Sequence, residues 1–182
     1  MLKRLRGFTL IELLIVVAII GILAALLIPN ALTAMQKAKQ KATMKGIATI
    51  STAIADFVTD NGIAPTQSGV YAGGDIFHGS LSPFYIKVLP IMDQWGTNYQ
   101  VHCGTDCNGV YGGVADASGD DFLVASWGRG GAKEAFTFTP ADPETGLFIV
   151  RQMSDFDKDL VMWNGSWIHA PRTYASAADT TL

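Results

Sequence analysis

Charge is scarce in this sequence. Asp, Glu, Lys and Arg make up 16% of its 182 residues, and 13 basic against 16 acidic side chains leave a net charge of −3. Without a basic excess, a role in binding polyanions such as nucleic acid has no compositional support. Cysteine is rarer still, with two residues in all, which excludes a disulfide-scaffold fold. The three histidines, His78, His102 and His169, stand apart without metal-ligand spacing. There is no internal repeat, and the 19 glycines follow no Gly-x-y period, which excludes a collagen-like chain. Disorder is excluded by the 49% of hydrophobic residues. The length fits one ordinary domain.

The apolar residues are concentrated at the N-terminus. Residues 1–7 read MLKRLRG, with Lys3, Arg4 and Arg6 and no acid. Residues 8–28, FTLIELLIVVAIIGILAALLI, are apolar apart from Thr9 and Glu12. As a helix this run is about 31 Å long, enough for the hydrocarbon core of a bilayer. Basic residues ahead of such a span place the N-terminus in the cytoplasm and the remainder outside it. A secretory signal peptide has a shorter apolar region and a small-residue cleavage site, whereas this run ends in Ile28-Pro29-Asn30. A plain membrane anchor fits by length. Glu12 does not suit that role, because a carboxylate inside the span costs about 2.5–3.5 kcal/mol and calls for a partner or a task.

The segment GFTLIELLIVVAIIGILAALLIPN resembles the N-terminal signature of type IV pilins and type II secretion pseudopilins almost residue for residue. The resemblance implies cleavage by a prepilin peptidase after Gly7 and methylation of the new amino terminus on Phe8. It also implies a role for Glu12 in docking subunits into a filament. The physics is compatible with this. Cleavage puts an amine on Phe8, about 6 Å along the axis from Glu12, and opposite charges there can pair within one chain or between neighbouring chains.

From Pro29 to about Asp60 the chain is amphipathic. Ile47, Ile50, Ile54, Phe57 and Val58 share one arc of a helical wheel, with Lys37, Lys41 and Lys45 near the opposite side. The apolar arc is expected to pack on a sheet. The lysines read either as a solvated face or as a partner for acids on a neighbouring subunit. Pro29 predicts a kink or a melted segment, and Asn61-Gly62 a helix stop. Residues 62–84 read as loop. Strands are expected at residues 99–102, 122–126, 147–150, 160–163 and 166–169, the last two joined through Asn164-Gly165, a strong hairpin signal. The expected fold is α+β and pilin-like, a long N-terminal helix packed against a small antiparallel sheet. Its parts are a leader (1–7), a stem helix (8–61, with 8–28 in the membrane), a headgroup (62–170) and a mobile tail (171–182).

Within the headgroup, Asp93-Gln94-Trp95-Gly96-Thr97-Asn98-Tyr99 resembles the D-P-W-G-x-P-Y region of the major pseudopilin of type II secretion. Asp120-Asp121-Phe122-Leu123-Val124-Ala125-Ser126-Trp127-Gly128 resembles the same family's D-x-x-x-S-x-G strand and following loop. Gln94 and Thr97 replace prolines of that pattern. The resemblance also implies a calcium site, but the position of its first acid is Gly130 here, beside Arg129. Calcium would therefore rest on Asp155, Asp157 and Asp159, whose alternating carboxylates suit a hard cation or, equally, form a solvated acidic loop. Cys103 and Cys107 have C-x₃-C rather than redox-type spacing, and in an oxidising periplasm they are expected to pair as a disulfide. Ser126 lies outside any Gly-x-Ser-x-Gly elbow, Gly128–Gly131 reads as a turn, and the four tryptophans read as core.

The sequence therefore points to a non-enzymatic subunit of a type II secretion pseudopilus in the bacterial inner membrane. Its implied partners are further copies of itself, other pseudopilins, the prepilin peptidase, inner-membrane assembly components and lipid. A type IV pilin is the alternative within the class. A membrane-tethered binding or enzymatic domain is the alternative outside it, and that reading lacks convergent catalytic residues.

Overall fold

A computed structural model describes residues 8–172. Packing divides the chain between Lys37 and Ala38. A single helix, α1 (Leu10–Asn61), supplies nearly all of the first unit and the opening of the second. The leader residues, Gly7 among them, and residues 173–182 of the expected tail lie outside the described residues.

In the first unit α1 is apolar from Leu13 to Pro29. Its most hydrophobic window has a mean hydropathy of 3.1 and is 0% buried, so by length and composition it can cross a membrane. The melted segment expected at Pro29 is not formed, because α1 is helical through it. Proline removes one backbone donor there. Two side chains bond across the same turns, Asn30 Nδ2 donating to the Leu26 carbonyl at 3.4 Å and Thr33 Oγ1 to that of Pro29 at 3.1 Å.

In the second unit α1 buries Gln40, Thr43, Ile47, Ile50, Ser51, Ala53 and Ile54, with Phe57 and Val58 packed beside them. The expected apolar arc is therefore the packed face, and Lys41 and Lys45 are exposed. The helix stops where Asn61-Gly62 predicts. Gly62 has φ +75°, a left-handed cap open to glycine, and its amide reaches the Val58 carbonyl at 2.7 Å.

Six strands follow: β1 (Ser68–Val70), β2 (Gln100–Cys103), β3 (Phe122–Ser126), β4 (Leu147–Phe148), β5 (Leu160–Trp163) and β6 (Ser166–Pro171). They form one sheet in the order β1-β2-β3-β5-β6-β4. The sheet is mixed rather than purely antiparallel, because β4 pairs parallel to β6. Residues 62–84 are not all loop, since they contain β1 and a short helix, α2 (Ile76–Leu81). Two residues expected in the tail, Pro171 and Arg172, are tied to the sheet. Pro171 pairs with Phe148 in the sheet, and the Arg172 amide donates to the Phe148 carbonyl at 2.8 Å. Asn164 and Gly165 have φ +48° and +77°, the two positive values of a type I′ turn, which joins β5 to β6 as expected.

Successive strand residues point to opposite faces, and the sheet buries both. Phe122 and Val124 of β3, with Leu160 and Met162 of β5, join the cluster formed with Ile47, Ile50 and Ile54 of α1. Leu123, Ala125 and Val161 join a second cluster under Cys107, Tyr111, Val114 and Phe138. Trp95, Trp127, Trp163 and Trp167 are half-buried, at the margins of the core rather than at its centre.

Candidate functional site

Two regions carry the candidate residues. The first is the start of α1. Leu10 is the first helical residue, which makes Thr9 the N-cap and places Glu12 three positions on. The Thr9 amide and hydroxyl both donate to Glu12 Oε2, at 2.9 and 2.6 Å, while the Glu12 amide donates to Thr9 Oγ1 at 3.3 Å. This is a reciprocal capping box, and it satisfies donors that a helix start otherwise leaves open. A carboxylate there also favours the positive end of the helix dipole. Both bonds fall on Oε2, and Glu12 is exposed. Around it Phe8, Leu10, Ile11, Leu13 and Leu14 are all more than half exposed. Thr9-Leu10-Ile11-Glu12 is a T-x-x-E pattern, so this box was legible in the sequence and was missed.

The second region is the join between the two headgroup motifs. Asp93 is 6% exposed and Ser126 is fully buried. The Ser126 hydroxyl donates to Asp93 Oδ2 at 2.7 Å, while the amides of Trp95 and Thr97 donate to Asp93 Oδ1, each at 2.9 Å. Asp93 thus closes its own turn and fastens that turn to the end of β3. The turn is also tied to α1. The Gln94 amide donates to Thr43 Oγ1 at 3.2 Å, and the Tyr99 hydroxyl to the Thr43 carbonyl at 3.3 Å. Gly46 leaves the space for the Tyr99 ring, since an added Cβ would run into it.

The expected Cys103–Cys107 disulfide is not formed, and both are free, buried thiols. The reason is the pleat of β2 and the 3₁₀ turn after it (Gly104–Cys107). Cys103 belongs to the cluster on the α1 face of the sheet and Cys107 to the cluster on the other face. Cys107 Sγ donates instead to the His102 carbonyl at 3.2 Å. Burial pushes the Cys107 thiol up to about 12 and raises that of Cys103 as well.

The three aspartates do not converge on a common point. Asp155 caps a 3₁₀ turn (Met153–Asp157), accepting the amides of Arg151 and Gln152 at 2.8 and 2.9 Å, with Lys158 Nζ 3.6 Å away. Burial opposes its charge, but the two amides and Lys158 outweigh that and hold its pKa below the usual value. Asp157 pairs with Arg129. Asp159 is fully buried, and its Oδ2 accepts the Tyr111 hydroxyl at 2.6 Å and the Glu134 amide at 3.1 Å. Burial raises its pKa to about 6. Among the described residues, no three His, Cys, Asp or Glu side chains are grouped so as to hold a metal ion. These residues do not fit the calcium that the family resemblance implies.

His102 and His169 are strand residues. His169 stacks on Phe136 with ring centroids 4.2 Å apart and has Glu134 at 3.6 Å. Gly128–Gly131 is a turn, as its sequence reads.

Residues 2–28 match the prokaryotic N-terminal methylation motif. Several relatives are named type II secretion system core protein G. The one from Klebsiella pneumoniae is 34% identical over 107 residues, covering 55% of this chain and 76% of the relative. The one from Pseudomonas aeruginosa is 39% identical, covering 54% and 73%. A third, from Dickeya chrysanthemi, is 27% identical over 172 residues, covering 89% of this chain and 88% of its own. No solved structure matches the chain.

Proposed function

We propose that this chain, which belongs to the type II secretion system core protein G family, acts as a structural subunit of the secretion pseudopilus. The observation that carries the proposal is the family match together with an N-terminal helix whose first part is apolar, unburied and headed by one carboxylate. The basic leader stays on the cytoplasmic side by the positive-inside rule, the first part of α1 crosses the inner membrane, and the headgroup lies in the periplasm. Prepilin peptidase cuts after Gly7 and methylates Phe8. Lipid then covers the apolar helix until neighbouring subunits replace it.

Glu12 sets the register of that exchange. Thr9 holds its carboxylate at the head of α1, where the amine of a neighbour's Phe8 can pair with it. Pairing offsets the cost of a carboxylate in an apolar setting, and a subunit out of register leaves that cost unmet. The pseudopilus, with other pseudopilins and the inner-membrane assembly components, then supports protein export across the outer membrane. The chain's role is mechanical rather than catalytic. A type II secretion role is favoured over a type IV pilus by the names of the relatives at 34 and 39% identity.

Glu12→Leu tests this reading. The variant removes the one charged group of the span, so it is expected to enter membranes as well as wild type and to be processed to Phe8, as intact-mass measurement will show. It should form no filaments and support no secretion. Normal filaments from Glu12→Leu would overturn the assignment.

A further inference from the structure

The turn after β3 and the 3₁₀ turn before β5 lie backbone against backbone. The Arg129 amide donates to the Phe156 carbonyl at 2.8 Å. A Cβ added at Gly128, which has φ +57°, would run into the carbonyls of Lys158 and Phe156. One added at Gly130 would sit 3.0 Å from the Asp157 carbonyl oxygen and 3.3 Å from Asp157 Cβ. An aspartate at position 130, where the family resemblance places the first calcium ligand, therefore presses on residue 157, which would have to give by a few tenths of an ångström.

What occupies this contact is a side-chain cation. Arg129 Nε lies 2.7 Å from Asp157 Oδ1 and Nη2 lies 3.0 Å from Oδ2, so the guanidinium meets both oxygens of the acid. The fork geometry makes this the strongest class of charged hydrogen bond between side chains. Asp155 Oδ2 is taken by two backbone amides, and Asp159 Oδ2 by Tyr111 and the Glu134 amide. A calcium ion requires six to eight oxygens at about 2.3–2.6 Å, and here it would first have to displace a resident positive charge.

We propose that the Arg129 guanidinium takes the place of a divalent cation in this headgroup, tying the turn after β3 to the Met153–Asp157 turn through Asp157, so that the fold is independent of calcium. A guanidinium is covalently part of the chain and keeps its charge at all physiological pH values, so a chelator cannot remove it. Ionic strength can weaken the link, because both side chains are about one-third exposed or more.

The test uses the full-length chain purified in detergent and melted in chelator and in millimolar calcium. Wild type is expected to melt at one temperature in both, since only a ligand bound by the folded state raises it. Arg129→Ala and Asp157→Asn should each lower that temperature by about 2–4 °C, irrespective of calcium. The double variant should fall no further than the lower of the two. A wild-type melting point raised by calcium would overturn the proposal, as would an Arg129→Ala melting point equal to wild type or additive losses in the double variant. Melting reads the unassembled subunit, so none of these outcomes bears on the filament assignment.

Discussion

Ser126 donates its hydroxyl to Asp93 across 33 positions of sequence, and both residues are buried. This bond makes the Asp93–Tyr99 turn and the end of β3 one object rather than two motifs. Removing one partner leaves the other as a buried polar group without its bond, and that is the costly case. Ser126→Ala is expected to lower stability by roughly 1.5–3 kcal/mol. Asp93→Ala should cost more, because the amides of Trp95 and Thr97 lose their acceptor as well. Denaturant titration of the two variants checks both the losses and their order.

The thiols make a second prediction. Both cysteines are buried, and their raised pKa values keep them as thiols near neutral pH, where the thiolate is the reactive form. In native, unreduced protein neither Cys103 nor Cys107 should react with a maleimide at pH 8. Once the protein is denatured without reductant, both should react. One disulfide and no labelled thiol in the denatured sample would mean that the two faces of the sheet exchange a side chain.

Asp159 gives a pH dependence with a definite sign. Its pKa is about 6 when folded, against about 3.9 for an unfolded aspartate. Between those values the folded chain holds a proton that the unfolded chain has released, so stability from this group is complete below about pH 4 and declines as pH rises through 6. Tyr111, Glu134 and Lys133 face it, the first by hydrogen bond. His169 has a lowered pKa and therefore acts in the opposite direction, but it is present in wild type and variant alike. Asp159→Asn keeps the acceptor for Tyr111 and loses the titration. Its melting temperature relative to wild type should rise from pH 4 to pH 7, and parallel curves would show that Asp159 does not titrate there.

The sequence makes the central elements readable because their signals are local. Leu160–Trp163 and Phe122–Ser126 are short apolar runs with breakers on both sides, and Asn164-Gly165 dictates the turn between β5 and β6 by its φ values alone. β1 escapes notice because Ser68-Gly69-Val70 is three residues long with a glycine at its centre. α2 escapes because Gly79 and Ser80 occupy its last turn. The parallel pairing of β4 with β6 depends on a chain reversal that no local pattern encodes. Cys103 and Cys107 mislead for a related reason. Their spacing allows a ring, but the strand's alternation and the turn after it send the two side chains through opposite faces. The aspartate triplet fails similarly, because Arg129, Tyr111 and the amides at 151 and 152 each claim one acid from a different part of the chain.

The five residues of β3 have a consequence for how the headgroup comes apart. Phe122 and Val124 belong to one hydrophobic cluster, and Leu123 and Ala125 to the other. The strand is a party wall, and neither room can lose it and stand. Loosening the loops over Leu123 removes the backing that keeps Val124 against α1, and loosening α1 does the reverse. The headgroup is therefore expected to unfold in one step, losing both clusters together, even though its apolar interior is divided in two.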